Sequence, residues 1–265
     1  MPFNEVDGLR YFTFDSLSGE ALVHAVFTRQ GGVSPAPWNE LNVGGTVGDD
    51  RERVRENRQR SFQALRRDPH SLHDVWQVHS ADVVVAAAPQ DASPPERKAD
   101  AIITNNPAVT LFMRFADCVP ILLFDPAHRA VGIVHAGWLG TVRRVTTAAV
   151  EALQQNFGSR PDELLAAIGP SIGPDHYEVG QEVIDRVRET FGKQAEALLP
   201  GKLGHTYFDL WAANRVLLEQ AGVTRVELAG LCTACHPEDW YSHRAQQGKT
   251  GRFGAMIALC QSGES

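Results

Sequence analysis

Long apolar runs are missing from this chain of 265 residues. No stretch approaches the roughly 18 uninterrupted apolar residues that indicate a membrane-spanning helix. The first ten residues, MPFNEVDGLR, lack a charged region followed by an apolar segment, so they do not resemble a secretory signal. We therefore expect a cytoplasmic protein with no membrane partner.

An excess of basic residues is also missing. The 25 Lys and Arg residues are outnumbered by 32 Asp and Glu, which gives a formal net charge of −7. Between positions 51 and 67 the basic residues alternate with acidic ones, a pattern typical of the solvated side of a helix. Because recognition of a phosphate backbone needs a clustered basic surface, we expect no nucleic-acid partner.

Cysteine is scarce, and this excludes one class of fold. The four cysteines are too few and too unevenly spaced for a disulfide scaffold in a chain of this length. We expect free thiols at Cys118, Cys232, Cys235 and Cys260.

Apolar residues, by contrast, are plentiful at 43% of the chain, enough for a substantial core. The segments VTLFMRF, PILLFD and AVGIVHA are almost continuously apolar, which is typical of strands buried on both faces. Helical patterns begin near Asp49 or Asp50 and at Asp209, and another ends at Gly158. These patterns predict an α+β fold of mixed β-sheets covered by helices, forming a single compact domain over residues 1–265, with residues 89–98 as the only plausible linker.

Three residues suggest a functional site because each lies beside a strand-like apolar run. They are His79 in QVHS, Cys118 in ADCVP and His135 in VHAGW. Two imidazoles and one thiolate form a three-ligand set that leaves one position of a zinc or copper ion open for water or substrate. We predict that these three residues bind a metal and take part in catalysis.

The same three residues allow a metal-free alternative. Cys118 would be the nucleophile and His135 or His79 the base of an acyl-transfer hydrolase or amidase. The residues alone do not separate the two hypotheses. Asp117, next to Cys118, is a carboxylate that is costly to bury unless it orients a neighbour such as a metal ligand. In the metal hypothesis we predict that it shuttles a proton from metal-bound water.

Two further motifs carry weaker predictions. Gly169-Pro-Ser171-Ile-Gly173 matches the nucleophile-elbow pattern, but Pro174 and the residues after it do not start the helix that an elbow requires. The segment CTACH is compatible with a redox pair, or with a second zinc site that would use Cys232, Cys235, His236 and His243.

Several blocks in order resemble the laccase-domain or multicopper polyphenol oxidase family, also called YfiH-like. They run from about Thr28 to Ile257 and include TRQGGVS, LNVGGTVGDD, VRENR, WQVHS, ADAIIT, ADCVPILLFDP, VHAGW, IGPSIGPDHYEVG, LCTAC and SHRAQQGKTGR. The combination of ADC-P with HAGW is the most specific part of the resemblance.

This resemblance implies a cytosolic enzyme whose zinc or copper ion is held by His79, Cys118 and His135. It also implies phosphorolysis of adenosine, inosine and methylthioadenosine and deamination of adenosine to inosine, with a nucleoside and phosphate as partners. We expect Arg29, Asn42 and Gln77 to bind substrate. A copper-dependent phenol oxidase is the other interpretation, although the chain has no His-x-His pair and three coppers would need more histidine ligands than this cluster offers.

One position departs from the family pattern. Members usually continue HAGW with Arg, whereas this chain has Leu139. A guanidinium that could hold phosphate is therefore missing there, and we expect a substitute from other segments, namely Arg143, Arg144, Arg29, Arg244 or Arg252.

Overall fold

Two sheets of six strands each dominate the part of the chain that the computed structural model describes, residues 3–19, 21–90 and 95–260. In chain order the strands are β1 (Phe3–Val6), β2 (Leu9–Phe12), β3 (Leu22–Phe27), β4 (Leu72–His73), β5 (Val83–Val85), β6 (Ala101–Thr104), β7 (Thr110–Phe115), β8 (Val119–Asp125), β9 (Ala130–Ala136), β10 (Leu165–Ile168), β11 (Gly201–Lys202), β12 (His205–Thr206), β13 (Arg225–Leu228) and β14 (Phe253–Leu259). The helices are α1 (Arg51–Ala64), α2 (Trp138–Val142), α3 (Val145–Phe157), α4 (Gln181–Phe191), α5 (Ala195–Leu198) and α6 (Leu210–Gln220).

Both large sheets are mixed, as the sequence predicts. The first has the strand order β1-β2-β3-β14-β7-β4 and the second β13-β10-β8-β9-β6-β5, while β11 and β12 form a separate hairpin. Within these sheets β4 pairs with β7, β5 with β6 and β10 with β13 in parallel, and the remaining pairs are antiparallel. The nearly continuous apolar runs become β7, β8 and β9, and every residue of β8 and β9 is buried.

One large core lies between the two sheets, and another lies between the second sheet and its helices. On β9, Val131 and Ile133 belong to the core between the sheets, whereas Ala130 and Val134 pack on the opposite face. Because side chains alternate along a strand, His135 shares the face of Val131 and Ile133. Its ring contacts Phe115 with the ring centroids 5.4 Å apart. A polar imidazole thus lies at the edge of an apolar core.

Helices cover the outer faces of both sheets. Residues of α3, α4 and α6 complete the core on the outer side of the second sheet. The first sheet is covered by α1, where Phe62 packs on Phe112 and Met256. The result is four layers in the order helix, sheet, sheet, helix, and no helix within the described ranges is long and apolar enough to cross a bilayer.

The predicted helix ends are confirmed by their caps. The Asp50 carboxylate accepts hydrogen bonds from the backbone N–H groups of Glu52 and Arg53, and Asp209 caps α6 in the same way. Gly158 ends α3 with a left-handed φ of 75°, which glycine adopts without steric cost.

The predicted linker does not lead away from the fold. Its residues 91–94 lie outside the described residues, but both flanks are hydrogen-bonded to the segment around β4. Gln90 N–H donates to the Leu72 carbonyl, and Trp76 N–H donates to the Arg97 carbonyl. Both ends of the predicted linker are therefore bound to the segment around β4. The extent of the domain over residues 1–265 stays a prediction.

Candidate metal centre

Cys118 lies in the short turn between β7 and β8. The turn needs a left-handed residue, which is Asp117 with a φ of 81°. Aspartate adopts this conformation more readily than most residues, because its short polar side chain bonds locally. The turn places Cys118, half-buried, directly before a strand whose residues are all buried.

His79 lies in the loop between β4 and β5 and is also left-handed, with a φ of 59°. The carboxylate of Asp100 fixes this loop by hydrogen bonds to its backbone. Asp100 Oδ2 accepts hydrogen bonds from Val78 N at 3.1 Å and from Ser80 N at 2.6 Å, the two residues that flank His79. Since non-glycine residues with positive φ cluster at functional sites, the held loop indicates such a site.

His135, near the end of β9, is oriented by the same carboxylate. Its Nδ1 lies 2.8 Å from Asp100 Oδ1. Asp100 is fully buried and ionised, because hydrogen bonds from His135, Ser80 and Val78 outweigh the burial that would raise its pKa, and the net pKa is lowered. With Nδ1–H donating to Asp100, the neutral ring of His135, the form that binds a metal, carries its lone pair on Nε2.

The three predicted metal ligands come together. One ligand atom of His79, of Cys118 and of His135 lies within 4.8 Å of the other two, and Cys118 Sγ is 3.8 Å from His79 Nε2. His135 is buried and His79 is exposed, so the cluster leads from the core to the surface. A Cβ atom on Gly137 would lie 2.8 Å from Cys118 Sγ, so only glycine leaves room beside the sulfur.

Charge in the cluster favours the thiolate. Burial opposes ionisation of Cys118, but the rings of His135 and His79 outweigh it and lower the thiol pKa to about 6. Burial likewise opposes protonation of His135, whereas Cys118 and Asp100 raise the pKa of its ring to about 9. The thiolate is the form of cysteine that binds metals, so this donor set fits a zinc or copper ion.

Comparison with known proteins decides the family. A family model described as multi-copper polyphenol oxidoreductase laccase matches residues 23–260. This chain belongs to that family. It is 41% identical over 239 residues to a purine nucleoside phosphorylase of Deinococcus radiodurans, with 90% of each chain covered. It is 33% identical over 260 residues to a purine nucleoside phosphorylase of Bacteroides thetaiotaomicron, covering 94% of this chain and 96% of the other.

The fold agrees with that membership of the laccase family. YlmD from Geobacillus stearothermophilus has a TM-score of 0.90 at 32% identity, covering 98% of this chain and 99% of its own. The mixed sheets and helices predicted from the sequence are therefore confirmed both directly and by a related structure. The resemblance stated on sequence blocks alone is confirmed as well.

Asp117 lies next to Cys118, but protein groups hold its carboxylate. Thr233 Oγ1 donates to Asp117 Oδ1 at 2.7 Å, and Arg244 N donates to Asp117 Oδ2 at 2.6 Å. Asp117 therefore fixes two other loops against the Cys118 turn. Its part in proton transfer stays a prediction.

The predicted substrate-binding residues are held by protein contacts. Asn42 is fully buried, and its Oδ1 accepts from Gly44 N and Arg252 N. Gln77 exchanges hydrogen bonds with Arg114 on β7, and Arg29 donates to the carbonyls of Asn39 and Pro237. These contacts position the loops, and substrate binding by Arg29, Asn42 and Gln77 stays a prediction.

Three of the arginines considered as replacements at Leu139 lie near the cluster. The charges of Cys118 and Asp117 act on the partly buried Arg252, although burial dominates and lowers its pKa. Arg244 lies over the Tyr177 ring, 5.0 Å from its centroid. Arg143 donates to the His79 carbonyl, so its guanidinium lies beside the cluster as well, whereas Arg144 is bound away from it to Gln220.

Sequence reasoning missed Asp100 and Tyr177. Asp100 directly precedes the buried strand β6, so the reasoning that singled out Asp117 beside β8 applies equally to it. Tyr177 carried no such signal. Burial raises the pKa of its phenol, and Cys118 raises it further, which places the ring within electrostatic reach of the cluster.

The two weaker motifs have different outcomes. Ser171 is fully buried, donates to Gly169 O and accepts from Trp211 Nε1, so the segment is a structural turn, as its prolines indicate. The ligand set suggested for a second zinc site is wrong in part. Among the described residues, Cys232 and Cys235 group with Asp175 and His176 rather than with the predicted His236 and His243.

Proposed function

We propose that this protein is a metal-dependent purine nucleoside enzyme. It would cleave adenosine, inosine and methylthioadenosine with phosphate and would deaminate adenosine to inosine, in the cytoplasm. The observation that carries the proposal is the convergence of His79, Cys118 and His135 at one point that opens to the surface. The printed names of relatives such as the Deinococcus radiodurans protein support the choice of substrate class.

The resident metal would be zinc or copper, held by the two imidazoles and the thiolate. When bound, the ion supplies Lewis acidity for activating a water molecule or an anion. Asp100 accepts from Nδ1 of His135, which directs Nε2 of the neutral ring toward the metal position, and fixes the loop that carries His79. A histidine whose ring is oriented by a carboxylate binds a metal more tightly than a free one, because the hydrogen bond fixes the tautomer and the angle of the ring.

For phosphorolysis, an oxygen of hydrogen phosphate attacks C1′ of the ribose, the bond from C1′ to the purine nitrogen breaks, and the base leaves with the proton that the phosphate gives up overall. Charge on the attacking anion needs a positive clamp. We assign this clamp to Arg252, whose charge interacts with Cys118 and Asp117, and to Arg244, whose backbone N–H donates to Asp117. They replace the guanidinium absent at Leu139.

For deamination, water adds at C6 of adenine and ammonia leaves, so a group must take a proton from the water and give one to the amine. Asp117 is our choice for this group because it directly precedes Cys118. It would have to exchange a hydrogen bond with Thr233 or Arg244 for one with substrate.

The test is incubation of the zinc-loaded or copper-loaded protein with adenosine, with and without phosphate. Adenine formed only with phosphate would show phosphorolysis, and inosine formed without phosphate would show deamination. Hypoxanthine appearing from inosine in the presence of phosphate would extend phosphorolysis to that nucleoside. Unchanged adenosine under all conditions and with both metals would refute the proposal.

A second candidate is the metal-free hydrolase or amidase. The separation of 3.8 Å between Cys118 Sγ and His79 Nε2 favours it, since a nucleophile and its base need such proximity. It predicts turnover of an ester or amide by metal-free protein and trapping of Cys118 by an electrophile. Oxidation of a phenol by copper-loaded protein would instead indicate the phenol oxidase reading.

A further inference from the structure

The geometry points to a second metal site, a zinc site formed by Asp175, His176, Cys232 and Cys235. It lies outside the three-residue cluster and does not depend on the function proposed for it. One ligand atom from each of the four residues lies within 4.8 Å of the other three. His176 Nδ1 is 3.8 Å from Cys232 Sγ, 3.6 Å from Cys235 Sγ and 3.0 Å from Asp175 Oδ1.

These separations match the edges of a zinc tetrahedron. With Zn–S near 2.3 Å and Zn–N near 2.0 Å, a tetrahedral site puts sulfur and nitrogen about 3.6 Å apart. Both measured distances from His176 to sulfur agree with that value within a few tenths of an ångström. The distance from His176 to Asp175 is shorter than a tetrahedral edge, and a small rotation of the exposed carboxylate lengthens it.

The chain reaches this arrangement through backbone pairing of two distant segments. Ser171 N–H donates to the Leu231 carbonyl, and Thr233 N–H donates to the Ser171 carbonyl, which sets the segments side by side. Gly173 N–H then donates to Cys232 Sγ at 3.2 Å. A backbone donor to sulfur stabilises a thiolate, the charge state that zinc requires.

The donor set indicates that the two cysteines bind a metal rather than form a disulfide. A redox pair needs only the sulfurs, whereas here an imidazole nitrogen and a carboxylate oxygen converge on both of them. Two thiolates, one imidazole and one carboxylate suit zinc, which prefers four such ligands. Four protein ligands leave no open position, so this ion would be structural.

The second site lies where it can stabilise the turn that carries Cys118 of the first cluster. Thr233, between the two cysteines, donates to the Asp117 carboxylate. Ile172, close before the other two ligands, donates its N–H to the Asp117 carbonyl at 3.0 Å. Both segments that supply ligands thus contact the residue before Cys118, and the second ion would hold them in place.

The experiment measures metal content in the full chain produced with zinc and passed through gel filtration with a weak chelator. We expect two zinc ions per chain in the natural protein and one fewer in both Cys235→Ser and His176→Asn. Cys118→Ser should lose the other ion, and its combination with Cys235→Ser should lose both. His236→Gln and Cys260→Ser are matched controls that should keep two.

Cobalt gives a readout that separates ligation from folding. Cobalt bound to Cys118→Ser should show intense tetrahedral bands and thiolate charge-transfer absorption, both lost when Cys235→Ser is added. Circular dichroism shows whether each variant folds. If Cys235→Ser does not fold, His176→Asn takes its place in the comparison.

Three results would overturn the second site. The first is zinc content that Cys235→Ser and His176→Asn leave unchanged. The second is zinc that the weak chelator removes from the second site of natural protein, which would mean an adventitious ion only. The third is a disulfide between Cys232 and Cys235 that, once reduced, still takes up no zinc or cobalt.

Discussion

The two cysteine-histidine clusters differ in their burial and in the groups that hold their ligands in place. The first cluster, His79, Cys118 and His135, begins in the core between the sheets and is supported by the buried Asp100. The second cluster, Asp175, His176, Cys232 and Cys235, is exposed except for Cys232. It is held by backbone pairing of two loops rather than by a buried carboxylate.

This difference separates two uses of the same residue types. Three ligands supported by a buried carboxylate, with one side facing outward, suit chemistry, because an open position is needed for a substrate. Four ligands on surface loops fill the coordination sphere of a metal, so the ion would stabilise the fold instead. The predictions below test this division, from the largest expected effect to the smallest.

Replacing the sulfur of the first cluster should have the largest effect. Cys118→Ser removes the thiolate ligand, and we expect nucleoside turnover to fall by more than about 100-fold, beyond the loss typical of residues behind a metal ligand. Product formation from adenosine measures it. Cys260→Ser, a half-buried cysteine outside both clusters, should retain full activity. Normal turnover by Cys118→Ser would remove the first cluster from catalysis.

Neutralising the supporting carboxylate should have the next largest effect. In Asp100→Asn an amide replaces an oxygen that accepts from Val78 and Ser80 or from His135, so one of these contacts is lost. We expect metal affinity at the first cluster to fall by about 10-fold to 100-fold. Competition with a chromophoric chelator measures this affinity.

The chain offers a close control for that variant. Asp125 is also fully buried and accepts from the ring of His128 and from two backbone N–H groups, but it lies in neither cluster. Asp125→Asn should lose stability and keep metal affinity. Equal loss of affinity in both variants would mean that Asp100 acts only through the fold.

A buried histidine without ligand partners sharpens the comparison through its pH dependence. His24 accepts a hydrogen bond from Phe14 N at 2.8 Å, and burial lowers its pKa to about 4 despite Glu227. The unfolded chain therefore takes up this proton first as the pH falls below 6.5, and folding stability declines toward pH 4. Between pH 7 and 5 the loss is about 2 kcal/mol.

His24→Gln should remove that part of the acid dependence, while the carboxylates contribute equally to both proteins. Denaturant titrations at pH 7 and pH 5 measure the difference in free energy of unfolding. His135, whose pKa is raised rather than lowered, should not share this behaviour. Identical pH slopes for natural protein and His24→Gln would contradict the assignment of a neutral buried ring.

The contact between the two clusters should give the smallest effect. Thr233→Val keeps the shape of a fully buried side chain but leaves the Asp117 oxygen without its donor. We expect a loss of about 1 kcal/mol in the free energy of unfolding, at the lower end of the cost of an unsatisfied buried acceptor. Chemical denaturation measures it, and the exposed Thr46→Val is the control. An unchanged stability would mean that the two clusters are independent.

Much of the fold follows from local patterns that the sequence displays. The apolar runs of β7, β8 and β9, the caps Asp50 and Asp209 and the stop at Gly158 are short-range features, and each is confirmed. His79, Cys118 and His135 were predicted as ligands because each adjoins an apolar run, and the structure brings the three residues together. Asp100 was missed because its partners lie in two loops far along the chain.

The second cluster shows the limit most clearly. The sequence places Cys232 and Cys235 together, and it suggested the adjacent His236 as their partner, yet His236 faces Glu238 instead. The actual neighbours, Asp175 and His176, arrive by pairing of a loop more than fifty residues away. Spacing reveals which residues one segment supplies but not which segment meets it.

The sequence by itself determined which stretches form strands and helices and which residue types are available for metal binding, since propensity, apolar period and capping act over a few residues. The tertiary structure alone decided which donors converge. Convergence depends on sheet order and loop register, and these are set by the burial of the whole core rather than by any local segment.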